Sequence, residues 1–401
     1  MIIKTAVTNG AKQQDIDKKA LLFLSWRDIG HPDHGGAEVL THQILKRLDQ
    51  EKFKILHISA TFDNGLARQE IDSIEYLRRG NKLSVIWHAM IYYINNSDQV
   101  SLVVDQCNTH RFFSFFWVPR RKRLFFIHQL TREIWFYQRP RLVGWLGYII
   151  EPVLLWLQRK DSTVTVSPST RNDLIRFGFD AEKVAIIPEG INFEPWKRES
   201  MPQKLPDSFI FVNRFAPYKG LVDCFHALAV LRESHPDACL KVLGNAQPDY
   251  LKRVLYPLLE SLNLSYGDKI GFGDAVVFMG FVTEHEKLMQ MSVSKALLYP
   301  SIREGWGLSV TEAAAVGTPS IVYPAPGTID AVSLGNAGYL CDSCSVSSLV
   351  EKMSQCLNDK SEYLIMQSSA YEFSKNFHFD YSSLAFASCI EEKLLSNDRA
   401  D

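Results

Sequence analysis

No stretch of this 401-residue sequence stays apolar for the ~18 residues that mark a membrane-spanning helix. The longest candidate, residues 142–158, is broken by Glu151 and Pro152. The first twenty residues are polar and lack the apolar centre of a signal peptide, so a cytoplasmic protein is expected. Cysteine is sparse: of seven, only Cys341 and Cys344 form a C-x-x-C pair, and no second pair completes a zinc site. Reduced, structural thiols are the expectation. An excess of one charge is missing too, since 44 Lys and Arg face 45 Asp and Glu; nothing draws the whole chain to nucleic acid, and no such partner is expected. With 46% hydrophobic and 22% charged residues, disorder and fibrous repeats are excluded.

What is present reads as two α/β units. The length exceeds the ~250–300 residues at which a single hydrophobic core stops growing. The run LLFLSW at 21–26 has strand length and is followed by a glycine turn and a helical pattern over 37–48. Similar strand candidates lie at 53–59, 101–105, 123–128 and 163–167, so the first half reads as a parallel sheet with crossover helices. Residues 192–208, with Pro195, Pro202 and Pro206 among charges, have the composition of a linker. The rhythm then restarts with strands at 209–215, 239–244, 276–281, 296–301 and 319–324 and a helix over 221–234. The expected division is 1–200 for a first domain and 201–373 for a second, with a helix over 374–401 returning to the first.

The residues that carry chemistry sit after strands. In R-E-G-W-G-L-S-V-T-E, Glu304 and Glu312 flank Gly305, Trp306, Gly307 and Leu308 just past the strand ending at Ser301. A helix beginning near Leu308 aims free amides at the loop mouth, a place that favours phosphate or polarised hydroxyl oxygens. Glu312, one turn in, offers two carboxylate oxygens to the paired hydroxyls of a ribose; a solvated helix glutamate is the plainer alternative. N-R-F-A-P-Y-K-G places Arg214 and Lys219 after the second domain's first strand, where two cations suit a diphosphate leaving group. No clustered carboxylates of metal-binding type accompany them, so neither metal nor cofactor is expected. In the first domain Gly35 and Gly36 open a helix, permitting either close approach of a ligand or merely a tight turn. No G-x-G-x-x-G occurs there, which argues against an ordinary dinucleotide site. His128 closes another strand, as a cleft residue or as a buried histidine with a backbone partner. Asp105, Asn108 and Thr109 follow a strand end and suit either an acceptor pocket or ordinary capping.

Together these motifs resemble the retaining glycosyltransferases of family four, over nearly the whole chain from residue 21 to 373. The likeness is most specific in the Glu304 to Glu312 spacing with E-G-W-G, the Arg214 and Lys219 pair, G-G-A-E at 35–38 and S-P-S-T-R-N-D-L at 167–174. The resemblance implies the GT-B architecture: two Rossmann-like domains facing across a cleft, with the last helix crossing back. It places Arg214 and Lys219 on the donor diphosphate, Glu312 on the ribose, and Glu304 with the Gly305 to Leu308 amides on the transferred sugar and phosphate. Gly36 approaches the diphosphate from the opposite domain, and His128 lies beside the donor sugar. Front-face attack assisted by the leaving phosphate is the implied route. Departures are P-E-G-I-N at 188–192, where the family commonly has Pro-Asn-Gly-Ile-Asp, Trp306 where Phe is frequent, and Thr311 where Leu is usual.

The expected partners are a nucleotide-sugar donor and a glycan or lipid-linked acceptor, in polysaccharide or glycolipid synthesis. Residues 120–160 gather Arg120, Arg121, Lys122, Arg123, Arg132, Arg139, Arg141, Arg159 and Lys160 against Glu133 and Glu151, interleaved with Trp135, Phe136, Tyr137, Trp145 and Tyr148. That composition suits an anionic bilayer surface, hence peripheral attachment on the inner face of a membrane; a buried helix of the first domain is the alternative. A sugar-nucleotide epimerase and a catalytically silent nucleotide-binding scaffold remain the competing functions.

Overall fold

A strand whose side chains are apolar on both faces must be covered on both faces, which is the situation of a central strand in a parallel sheet. A computed structural model describes residues 18–108, 110–244, 248–268 and 274–398. In it Leu21 to Leu24 are fully buried in β1 (Lys19–Leu24). β1 pairs in parallel with β2 (Phe53–Ser59) on one side and β5 (Val100–Cys107) on the other. With β3 (Arg68–Ile71), β4 (Ile74–Arg78), β6 (Arg123–Ile127), β7 (Ser162–Thr165) and β8 (Val184–Ile186) the sheet runs β3-β4-β2-β1-β5-β6-β7-β8. Its edge departs from the expected all-parallel arrangement, because β3 is antiparallel to β4. Asp72 and Ser73 join them with φ of 50° and 62°, the left-handed pair that a tight hairpin uses. Both strands alternate in burial and carry no apolar run, so the hydrophobic pattern passes over them.

The second sheet is built the same way around β9 (Ser208–Val212), which is buried throughout. Adding β10 (Cys239–Leu243), β11 (Tyr266–Gly267), β12 (Val276–Gly280), β13 (Ala296–Tyr299), β14 (Ser320–Val322) and β15 (Tyr339–Leu340), the order is β11-β12-β10-β9-β13-β14-β15, all parallel. The protein therefore consists of two Rossmann-like α/β domains. At the centre of each sheet the strand order reverses, between β1 and β5 and between β9 and β13. Loops diverge at such a reversal and leave a crevice at the strands' carboxyl ends. The two crevices face each other.

Three features hold that arrangement. The helix Phe379–Asp398 returns to the first domain, where Phe386 packs between Phe23 and Phe126, with ring centroids 6.0 and 5.5 Å away. Where the chain crosses between domains, Ile191 and His378 form a parallel bridge, and Gly190 passes so close that a Cβ there would lie 2.4 Å from the His378 carbonyl carbon. Arg303, buried beside the second crevice, donates to Glu133 and Asp173 of the first domain at 2.7 Å each. The stretch read as a linker is itself fastened to the second domain, since Trp196 and Leu205 donate their amides to Ala315 and Val293 carbonyls.

Phe386→Ala should therefore lower stability by about 3–5 kcal/mol through the cavity it leaves. Urea unfolding followed by tryptophan fluorescence reads this; a midpoint equal to that of the parent protein would contradict the packing described.

Candidate functional site

Because both crevices open onto one gap, residues far apart in the chain line a single cleft of about 260 Å³. The second domain contributes Asn213 and Arg214 from the turn after β9, Lys219 from the next turn, and Glu304 to Ser309 with Glu312 from the segment after β13. The first contributes Arg27, Gly35, Gly36 and Glu38 from the segment after β1, together with Asn108, Gln129 and Glu189.

The charges in the cleft are mostly matched. Lys219 Nζ lies 2.5 and 2.7 Å from the two oxygens of Glu304, with both side chains buried. An ammonium carries three protons and this pair uses two, so one remains for a ligand. Glu312 is held by Lys287 at 2.8 Å, and Glu284 takes the same ammonium. Burial is the largest influence on Glu312 and pushes its carboxyl above the ordinary range, with Lys287 opposing. Arg27 donates to Glu38 at 3.1 Å, while Glu38, at the third position of its helix, also accepts the N-cap Gly35 amide at 2.7 Å. Burial is likewise the largest influence on Arg27 and lowers its pKa; Arg214, facing it, lowers it further. Among the described residues no carboxylate pairs with Arg214.

Arg27, Lys287 and Arg303 went unread in the sequence. Arg27 follows β1 as Arg214 follows β9, a repeat of position that was available as a signal. Lys287 sits on the helix Glu284–Val293, far from Glu312 in the chain, and Arg303 adjoins the motif without belonging to the charge pattern.

The glycines divide by cause. Gly307, with φ of 114°, caps the helix Leu308–Ala315, and left-handed backbone there favours glycine. Gly305 lacks room for a side chain, since a Cβ would meet the His128 carbonyl oxygen at 2.8 Å. Gly35 and Gly36 are not among the positive-φ residues, and a Cβ on Gly36 would be at an ordinary 3.6 Å from Glu189 Oε2. Tight turning therefore does not account for Gly36. Its bare backbone faces the cleft instead.

The remaining candidates are placed less simply. Trp306 lines the cleft, with Nε1 donating to Thr311 Oγ1 at 2.9 Å and the ring against Phe377. Asp105 does not reach the cleft: it is fully buried and accepts from the Phe112 and Ser114 amides and the Ser114 hydroxyl, anchoring the loop after β5. Asn108 does line it, donating to Glu38 at 2.7 Å. Thr109 lies outside the described residues. His128 stands behind the wall, its ring packed on Phe126 and its Nε2 2.9 Å from Gln106, while the neighbouring Gln129 and the nearby Glu189 face the gap. No group of three or more His, Cys, Asp or Glu able to hold a metal occurs among the described residues.

Known families account for this arrangement. Residues 34–195 match the family described as Glycosyltransferase Family 4, and residues 192–373 match Glycosyl transferases group 1, so the two matches run without a gap through both walls of the cleft. The chain belongs to glycosyltransferase family four. Within that family it is 29% identical over 220 residues to a glycogen synthase of Mycobacterium tuberculosis, covering 54% of this chain and 50% of that one. It is 24% identical over 254 residues to a D-inositol 3-phosphate glycosyltransferase of Streptomyces bingchenggensis, covering 58% and 53%. The family-four chain thus spans about half the length of these curated relatives. Among solved structures it shares its fold with sucrose-phosphate synthase from Thermosynechococcus elongatus, at a TM-score of 0.75 and 19% identity over 94% of this chain and all of that one. It also resembles Anabaena HepE in complex with UDP-glucose, with a TM-score of 0.70, 18% identity, and coverage of 93% and 99%.

Two glycine variants separate packing from ligand approach. Gly305→Ala should destabilise the fold by about 1–3 kcal/mol, because the facing backbone must shift. Gly36→Ala should leave thermal unfolding unchanged yet weaken nucleoside diphosphate binding. Unaltered calorimetric affinity in the Gly36 variant would contradict that assignment.

Proposed function

We propose that the protein is a retaining glycosyltransferase that moves a sugar from a nucleoside-diphosphate donor to a glycan or lipid-linked acceptor, without a metal ion, in polysaccharide or glycolipid synthesis. The observation that carries the reading is Arg214. Its guanidinium lines a cleft in which Arg27, Lys219 and Lys287 all have carboxylate partners and it has none among the described residues. A cation left over beside a helix start and bare glycine backbone is complementary to a diphosphate. Glu312 then takes the ribose hydroxyls, with Lys287 holding its carboxylate in place. The UDP-glucose held by the related Anabaena protein makes a UDP-sugar the first donor to try.

In this mechanism Arg214 and the free proton of Lys219 meet the charge that grows on the leaving phosphate as the glycosidic bond breaks. Glu304 fixes the ammonium through two hydrogen bonds and keeps lone pairs for sugar hydroxyls. The acceptor oxygen attacks the anomeric carbon from the face that the phosphate leaves, and its proton passes to the departing phosphate oxygen. Configuration is thereby retained.

Lys219→Ala should lower kcat by about 100-fold or more while affinity for the nucleotide falls less, since leaving-group charge is greatest in the transition state. Steady-state kinetics with calorimetry test this, and undiminished kcat would refute the role. Conversion of the donor sugar without an acceptor would indicate an epimerase instead.

A lipid-linked acceptor has its own support. No helix of the described residues is long and apolar enough to cross a membrane. The helix Arg141–Gln158 nevertheless buries only Gly144, Glu151, Leu155 and Gln158, so it is not the core helix of the alternative reading. Leu142, Trp145, Leu146, Ile149, Val153 and Trp156 are each about half exposed or more. Part of the basic stretch is engaged within the protein. Arg123 is buried against Asp161, Lys122 donates to two backbone carbonyls, and Arg132 packs on Tyr148. Arg139, Arg141 and Lys160 stay exposed at the ends of the apolar face. Amphipathic faces of this kind lie in the interfacial layer, and each nearby basic residue adds ~1 kcal/mol on anionic lipid. The protein should float with anionic vesicles at low salt, and Trp145→Ser with Trp156→Ser should reduce the floated fraction. A protein that ignores such vesicles removes the membrane reading.

A further inference from the structure

Three of the carboxylates that line the cleft are neutralised within it: Glu38 by Arg27, Glu304 by Lys219 and Glu312 by Lys287. Glu189 is not. It is 7% exposed and lines the gap, yet no hydrogen bond from the described residues reaches its carboxylate. His128 Nδ1 stands 3.9 Å from Oε1, beyond hydrogen-bond range. The Glu189 oxygens are reached from the gap and not sealed behind it, so this carboxylate is open to accept from a ligand there.

Its surroundings are short of partners as well. Gln129 Oε1 on the same wall, His128 Nδ1 behind it and Asn213 Nδ2 across the gap are buried without hydrogen bonds among the described residues. Native structures satisfy nearly all such atoms, so several of them in and behind the walls of one cleft mark a place that a ligand fills. Glu189 and Gln129 Oε1 are acceptors, whereas Asn213 Nδ2 is a donor. That mixture suits hydroxyls, which both donate and accept, and it does not suit an anion.

We infer that Glu189 holds a hydroxyl of a neutral sugar in the cleft and excludes sugars that bear a carboxylate. The inference rests on the reading of the cleft as a nucleotide-sugar site and adds the substrate class. The two unpartnered charges then divide the ligand. Arg214 draws the diphosphate to the second domain, while Glu189, unneutralised on the first, receives the uncharged ring. Specificity of this kind comes as much from repulsion of the wrong sugar as from attraction of the right one.

The test uses the full chain with Glu189→Ala and Glu189→Gln. Calorimetry with UDP, GDP and ADP, then with their neutral-hexose and uronate conjugates, separates the sugar's contribution from that of the nucleotide. Nucleoside diphosphate affinity should stay within about twofold in both variants, which also shows that they fold. Glu189→Ala should raise a sugar-dependent KM about tenfold, the usual scale for a hydrogen bond to a charged group. Glu189→Gln, keeping the shape without the charge, should recover part of that loss and narrow the preference for neutral over uronate sugars. Impaired donor hydrolysis without acceptor assigns the hydroxyl to the donor sugar; a change confined to the acceptor KM assigns it to the acceptor. Both variants keeping the parent's KM values and sugar preference would overturn the inference alone. A parent protein that binds none of the three diphosphates removes the glycosyltransferase reading, and this inference with it.

Discussion

The geometry of the cleft depends on how the two sheets are held relative to each other, and Arg303 bears most directly on that. Its guanidinium leaves the second domain and donates to Glu133 and Asp173 of the first, directly beside Glu304 and Gly305. Gly305 can then lie against the His128 backbone only because it has no side chain. A guanidinium suits this task, since its rigid fork meets two carboxylates at once and stays charged when buried. The Ser169 amide, donating to Asp330 Oδ2 at 3.0 Å, adds a second contact between the same walls.

Within that frame the cleft is an exercise in charge matching. Each domain supplies a cation just past its central strand, Arg27 after β1 and Arg214 after β9, and the two face each other. Arg27 is occupied by Glu38, so the net attraction for an anion falls on Arg214 and on the spare proton of Lys219. The pairing also keeps long side chains ordered before any ligand arrives. Preorganised charge of this kind need not be rearranged when the leaving group develops its own.

Much of the architecture was legible from the hydrophobic pattern, because buried parallel strands are apolar on both faces. β1, β2, β5, β6, β9, β10 and β12 fall where the runs predict them. The strands that escaped are the four sheet edges, β3, β8, β11 and β15, and β4 beside one of them, where alternating or half-exposed side chains leave no run to read. The candidate site was legible where its lining comes from one segment: Arg214 with Lys219, and Glu304 through Glu312. Asp105 misled because a carboxylate after a strand serves a loop as readily as a pocket. His128 misled in a smaller way, since the strand's end faces the gap with its neighbour Gln129.

The sequence by itself determined the alternation of strand and helix, the positions of the glycine turns and the placement of charges after strands, since each is a property of a few consecutive residues. Which charges pair was decided only by the tertiary structure. Lys287 meets Glu312 within the second domain, Arg27 faces Arg214 across the cleft and Glu189 meets no lysine or arginine among the described residues, because electrostatic partners are chosen by distance in space, which the folding of each sheet and the closing of one on the other set.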